Sequence, residues 1–216
     1  MRKGLTELVF ILDRSGSMSG LESDTIGGFN SMITKQKKLG HDALVSTILF
    51  NHESKVVHDR IPLKNVPMMT EEDYEASGCT ALIDAIGESV KHIRNIHKYI
   101  REEDTPEHAL FVITTDGMEN ASRHFDSDTV KNMVKEQQEK GWEFLFLGAN
   151  IDSVETAKNF GIHERNAVNF YNDSRGILGN FAALGAVCQS MMATGRLDEH
   201  WKDELENDFR NRKSAK

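Results

Sequence analysis

The 216-residue sequence is poor in cysteine, proline, long apolar runs and positive charge. Its only cysteines, Cys79 and Cys188, are too few and too far apart for a cysteine-based zinc site or a disulfide framework. We read both as free thiols in a reducing compartment. Three prolines and no Pro/Ser-rich stretch leave nothing that resembles a flexible linker, and no internal repeat is visible. The N-terminus, MRKGLTELVFILDRSGSM, has the basic start of a signal peptide, but its apolar run is confined to Leu8–Leu12 and stops at Asp13-Arg14. No other stretch is read as the ~20 apolar residues needed to cross a bilayer. The expectation is a cytoplasmic protein with no membrane partner. Lys and Arg number 26 against 34 Asp and Glu, a net charge of −8, which argues against nucleic acid as a partner.

What is present describes a folded chain. Hydrophobic residues make up 38% and charged residues 28%, with 16 glycines, and the length allows one core or a domain with an appendage. Short apolar runs alternate with longer helical segments, which predicts an α/β fold built on a mostly parallel sheet. Four runs read as buried strands: Glu7–Asp13, Ala43–Phe50, Ala109–Thr115 and Trp142–Gly148. Ile26, Phe29 and Ile33 mark one crossover helix, and Ile83, Ile86, Val90, Ile93 and Ile100 a longer one. Asn51–Ser54 is too short for a crossover, so the run 55–61 that follows should pair antiparallel at an edge. Further on come a short helix near Ser153–Phe160, an edge strand near Ala167–Tyr171, and a helix carrying Ile177, Phe181, Leu184, Cys188 and Met191 on one face. We divide the chain into a domain at 1–194 and a charged segment at 195–216. In that segment Leu197, Trp201, Leu205 and Phe209 recur every four residues. It is either a last helix docked on the domain or a tail that binds something else.

The residues that carry chemistry begin where the first strand ends, in Asp13-Arg14-Ser15-Gly16-Ser17-Met18. Ligands in open α/β sheets collect beyond the carboxyl ends of the strands. Residues 13, 15 and 17 each offer oxygen, and one carboxylate with two hydroxyls suits a small hard cation. Two more oxygen-rich loops fall at suitable places. Ser77–Leu82 (SGCTAL) opens the long helix and carries Thr80, and Thr114-Thr115-Asp116-Gly117 follows the ALFVITT strand. If the first and third runs are neighbours, Asp116 lies beside Asp13.

D-x-S-x-S at 13–17, with Thr80 and Asp116, resembles the metal-ion-dependent adhesion site of the von Willebrand factor A (vWA) family. The strings LDRSGSM, SGCTALIDAIG and TTDGMEN look like those of bacterial members, and the order of strands and helices is similar over residues 5–192. The resemblance implies a Rossmann-like fold with a six-stranded, mostly parallel sheet, one antiparallel edge strand and helices on both faces. It also implies a divalent cation, Mg2+ with Mn2+ and Ca2+ as alternatives, held by Asp13, Ser15, Ser17, Thr80 and Asp116. In the family Ser15, Ser17 and often Thr80 touch the metal, Asp13 and Asp116 typically hold its waters, which of Thr80 and Asp116 binds directly can differ between liganded and free states, and an Asp or Glu of a partner protein can fill the remaining position. Bacterial and phage members commonly act inside the cell as parts of multiprotein assemblies, and the oligomeric state is left open. Gly16 and Gly117 would permit the tight turns, and Asn120 and Asp84 are candidates for supporting the ligands from behind.

Other readings compete. Residues 13–24 superficially match a calcium EF-hand, but Met18 stands where that loop needs glycine and a strand precedes it. A Mg2+-dependent phosphohydrolase or phosphotransferase that forms an aspartyl-phosphate on Asp13 would want an acid at position 15, which is Ser, and a well-placed lysine. Nine histidines show no HExxH spacing. Glu22, Glu71, Glu72 and Asp73 read as a solvated charged face in preference to a second cation site, and Cys79 as ordinary packing in preference to a redox switch. The expectation is a binding module and not an enzyme.

Overall fold

The computed structural model describes residues 1–214. The first apolar run becomes the central strand of the molecule. Strands β1 (Arg2–Asp13), β2 (Ala43–Phe50), β3 (Ser54–Pro62), β4 (Pro106–Thr115), β5 (Trp142–Ala149) and β6 (Ala167–Phe170) form one sheet in the order β3-β2-β1-β4-β5-β6. All neighbours are parallel except β2 and β3, so the antiparallel edge strand stands where the short 51–54 connection placed it.

Among the described residues six α-helices surround the sheet: α1 (Glu22–Leu39), α2 (Leu82–Tyr99), α3 (Ser127–Gln138), α4 (Ser153–Asn159), α5 (Ser174–Thr194) and α6 (Asp203–Lys213). Alternation along β1 explains why its run is apolar throughout. Leu8, Phe10 and Leu12 join a cluster with Phe29 and Ile33 of α1 and Phe181 and Leu184 of α5. Val9 and Ile11 face the other way, toward Ile86 and Val90 of α2 and Val130 and Val134 of α3. With both sides covered neither set meets water, and each fully buried Leu, Ile or Phe contributes roughly 1.5–3 kcal/mol. Helices α1 and α5 pack so closely that a Cβ on Gly28 would lie 2.4 Å from the Phe181 ring.

Several features depart from the sequence reading. Strand β1 begins five residues earlier than expected, at Arg2, and β6 stops at Phe170. Helix α3 was not anticipated: it is capped by the Asp126 carboxylate, which accepts from Thr129 N, and it buries Val130, Met133 and Val134. By length and mean hydropathy, 1.3, α5 reaches the range of a membrane-spanning helix, contrary to the reading that no stretch does. Half of that window is buried, and its Ile177, Phe181, Leu184 and Met191 face packs into the core.

Glu7 is completely buried in β1, where Arg60 of β3 reaches it with Nε at 3.0 and 3.1 Å from its two oxygens and His97 Nε2 of α2 lies 3.1 Å away. Register shifts between β2 and β3, and a left-handed φ of 49° at Arg60, accompany this reach.

Of the two alternatives for the charged C-terminal segment, the structure shows a docked one. Trp201 and Leu205 are buried, Trp201 Nε1 donates to Arg165 O at 3.2 Å, and Lys202 Nζ donates to Ala167 O at 3.0 Å, so α6 lies against the β6 edge. The last two positions of the 195–216 segment, Ala215 and Lys216, lie outside the described residues.

Candidate metal site

Strands β1 and β4 are parallel neighbours with Leu12 opposite Thr114, so Asp13 and Asp116 emerge at the same edge of the sheet. The chain after β1 is turned outward by a bond from Arg14 N to Phe50 O of β2, 2.7 Å. Gly16 N then donates to Gly78 O at 3.0 Å and ties the first loop to the second. A Cβ on Gly16 would sit 3.3 Å from that carbonyl, and Gly78 has φ +74°, so glycine at both positions is what allows the two loops to meet. The second loop is anchored by Asn51, whose Nδ2 donates to Ser77 O at 2.9 Å and whose carbonyl accepts from Ala81 N at 2.7 Å. The third loop closes on it: Asn120 Oδ1 accepts from Thr80 N at 2.9 Å, and Asn120 N donates to Thr80 O at 3.0 Å.

These ties bring the five sequence-derived residues to one place. The Ser15 and Ser17 hydroxyls are 3.1 Å apart, and Ser17 Oγ donates to Asp116 Oδ1 at 2.6 Å. A Cβ on Gly117 would lie 3.4 Å from Thr80 Oγ1 and 3.8 Å from Ser17 Oγ, so both hydroxyls border the space that this glycine leaves open. Asp13 stands behind them, its Oδ1 accepting from Ser15 N at 2.7 Å and its Oδ2 from the Thr115 hydroxyl at 2.6 Å. Asp13, Ser15, Thr80 and Asp116 are buried, whereas Ser17 is exposed and opens the cluster to solvent.

Burial raises the Asp13 carboxyl above its ordinary pKa and does the same to Asp116, which the nearby Asp13 charge pushes further. Among the described residues no three His, Cys, Asp or Glu side chains gather as a metal site. A metal here would need the hydroxyls as well as the carboxylates, and that all-oxygen set fits Mg2+, Mn2+ or Ca2+ and not a soft ion.

Three residues that sequence reasoning had not assigned also hold the site. The Thr115 hydroxyl fixes Asp13, the Tyr74 hydroxyl donates to the Asp13 carbonyl, and Asn172 Nδ2 donates to Asp116 Oδ2 at 2.6 Å. Thr115 lies within the TTDG string, next to Asp116. Asn172 is 56 positions from Asp116, beyond any local spacing.

Asp84 does not support the metal ligands as entertained. Its carboxylate accepts from the backbone N–H groups of Arg123, His124 and Phe125 and shapes the loop after Asn120. Around the acidic cluster, Asp73 accepts from Thr70 N and Oγ1 and Glu22 from Gly20 N, which are local turn bonds. The EF-hand match fails structurally because β1 stands where a helix would be. A cavity of about 540 Å³ opens far from this site, between α2, α3 and the amino ends of β4 and β5, beside Arg94, His97 and Trp142.

No family model matches the chain, and no curated protein matches it in sequence. Solved structures do match in fold. The vWF domain of the type V pili tip protein Mfa5 from Porphyromonas gingivalis aligns with a TM-score of 0.63 at 11% identity, over 90% of this chain and 98% of that one. The PilB minor pilin from Streptococcus sanguinis aligns at 0.56 and 13% identity, over 87% and 62%. A von Willebrand factor type A structure from Catenulispora acidiphila aligns at 0.51 and 13% identity, over 84% and 42%. The chain thus spans less than two thirds of the PilB and Catenulispora proteins, while it matches the isolated Mfa5 domain almost end to end. Sheet order, the single antiparallel edge and these likenesses together show that the chain has a von Willebrand factor A-like fold.

Proposed function

We propose that the chain is a metal-dependent protein-binding module in which Asp13, Ser15, Ser17, Thr80 and Asp116 hold a divalent cation, Mg2+ in the first instance, that captures an Asp or Glu carboxylate of a partner protein. The observation that carries this reading is the chain of hydroxyls from Ser15 through Ser17 to Asp116, beside an open Gly117 that Thr80 Oγ1 also borders, with Ser17 at the surface. Neutral hydroxyl ligands leave an ion with unspent positive charge, and an incoming carboxylate gains a charge-assisted contact. That several structures of like fold are pilus proteins is in keeping with a binding role.

No chemistry of the chain's own is part of this reading. Both Asp13 oxygens accept hydrogen bonds and the side chain is buried, which suits an anchor better than an attacking nucleophile. The free thiols support a reducing, cytoplasmic setting.

The test is capture of partners from a host lysate with Mg2+ or with EDTA, using wild type, Asp13→Ala and the surface change Ser17→Ala. A protein retained only by wild type in Mg2+ is the expected result. Equal retention in EDTA and by both variants would move binding to another surface.

A further inference from the structure

Asn172 sits in the connection between β6 and α5, and its two sequence neighbours face a different part of the molecule. Its Nδ2 donates to Asp116 Oδ2 at 2.6 Å and lies 3.4 Å from Ser17 O. With Oδ2 taken by Asn172 and Oδ1 by the Ser17 hydroxyl, the Asp116 carboxylate is held at both oxygens in one orientation. Tyr171 and Asp173, on either side, are gripped by α6. Phe209 stacks on the Tyr171 ring at 4.8 Å, and the Arg212 guanidinium lies 4.4 Å from the same ring centroid. Arg212 also donates to both oxygens of Asp173, whose Oδ1 caps α5 by accepting from Gly176 N at 2.9 Å. Asp208 completes the grip at 3.2 Å from Arg212.

We propose that Asn172 is a positioning residue for the metal site and that α6 sets its position through Tyr171 and Asp173. The inference rests on the metal-binding reading above. Three consecutive residues form the linkage: the outer two are fastened to the C-terminal helix and the middle one to a candidate ligand. The backbone from 171 to 173 has little freedom to move Asn172 while Arg212 holds both flanks, so loosening α6 loosens the hold on Asp116. Residues that orient metal ligands in this way typically change metal affinity about 10–100-fold when removed. Coupling between sites is reciprocal in equilibrium binding, so a metal that tightens the Asp116 cluster also tightens the docking of α6.

The experiment is a Mn2+ titration of the full chain, followed by the electron paramagnetic resonance of free Mn2+, on wild type, Asn172→Ala, Arg212→Ala and the double variant, with thermal melts confirming that each is folded. Asn172→Ala is expected to weaken Mn2+ binding by about tenfold or more, and Arg212→Ala by about fivefold. In the double variant, Arg212→Ala adds little to Asn172→Ala, because its effect runs through the missing amide. Amide exchange across 203–213 slows on Mn2+ addition in wild type and not in Asn172→Ala. Unchanged affinity in Asn172→Ala, or an equal loss from Arg212→Ala in both backgrounds, overturns the proposal while leaving the metal reading standing. A wild-type chain that does not bind Mn2+ overturns the metal reading, and this inference falls with it.

Discussion

Asp13 and Asp116 place two carboxylates in one buried cluster, and the consequence for the metal-free chain has a definite sign. Burial raises both carboxyls above the ordinary value of 3.8. Between that value and the raised ones, the folded protein holds protons that the unfolded chain has released. Stability therefore falls as pH rises through this interval, and at neutral pH the charged pair works against folding in the absence of a bound cation. In EDTA at pH 7, Asp116→Asn is expected to melt higher than wild type. A gain of about 1 kcal/mol corresponds to ~2–4 °C in a domain of this size. Mg2+ should raise the melting temperature of wild type only, and a lower melting temperature for the variant in EDTA would contradict this electrostatic picture. Asp13, Ser15 and Ser17 could be read from the sequence because they share one loop with a regular spacing. Thr80 and Asp116 followed from the ends of other elements. Asn172 and Tyr74 could not be read, because what makes them matter is a side chain reaching across space and not a local pattern.

Helices and strands divide along a similar line. Strands β1, β2, β4 and β5 are legible as mainly apolar runs because helices cover both faces of the sheet. Helix α3 is hard to read because its buried apolar residues are just Val130, Met133 and Val134 among polar neighbours, although Asp126 with Thr129 is a readable cap. Glu7 is the sharpest contrast between pattern and structure. At the head of an apolar run it reads as the polar boundary of a strand, yet it is buried, and the groups that make this tolerable come from β3 and α2. Removing the cation at one end of such a pair leaves an uncompensated buried charge, which costs about 3–5 kcal/mol. Arg60→Leu should lose stability of that order in urea denaturation, with the β3 edge loosened first in amide exchange. A loss below about 1 kcal/mol would mean that His97 alone satisfies Glu7.

At the scale of the molecule, the sheet order brings the ends of β1 and β4 together and leaves β6 as an edge that α6 and Trp201 cover. The fold class was legible because alternating strand and helix signals admit few arrangements. The docking of the charged C-terminal segment was legible only as one of two alternatives, since its four-residue apolar spacing suits a core contact and a partner contact equally. The two thiols report on the same architecture. Cys79 is exposed beside the site, whereas Cys188 is buried in α5 with its thiol pushed up to about 12. An aromatic disulfide reagent should titrate one thiol in the native protein and the second only on unfolding. Rapid reaction of both would show that α5 leaves the core readily.

We propose above all that the cluster beyond β1 and β4 is a cation site built on hydroxyls. The most direct measurement is anomalous X-ray scattering from crystals grown with Mn2+. A cation held there gives a single strong peak within about 2.0–2.6 Å of the Ser15 and Ser17 Oγ atoms. A map with no peak there, or with its strongest peak at the acidic surface of residues 71–73, would contradict it.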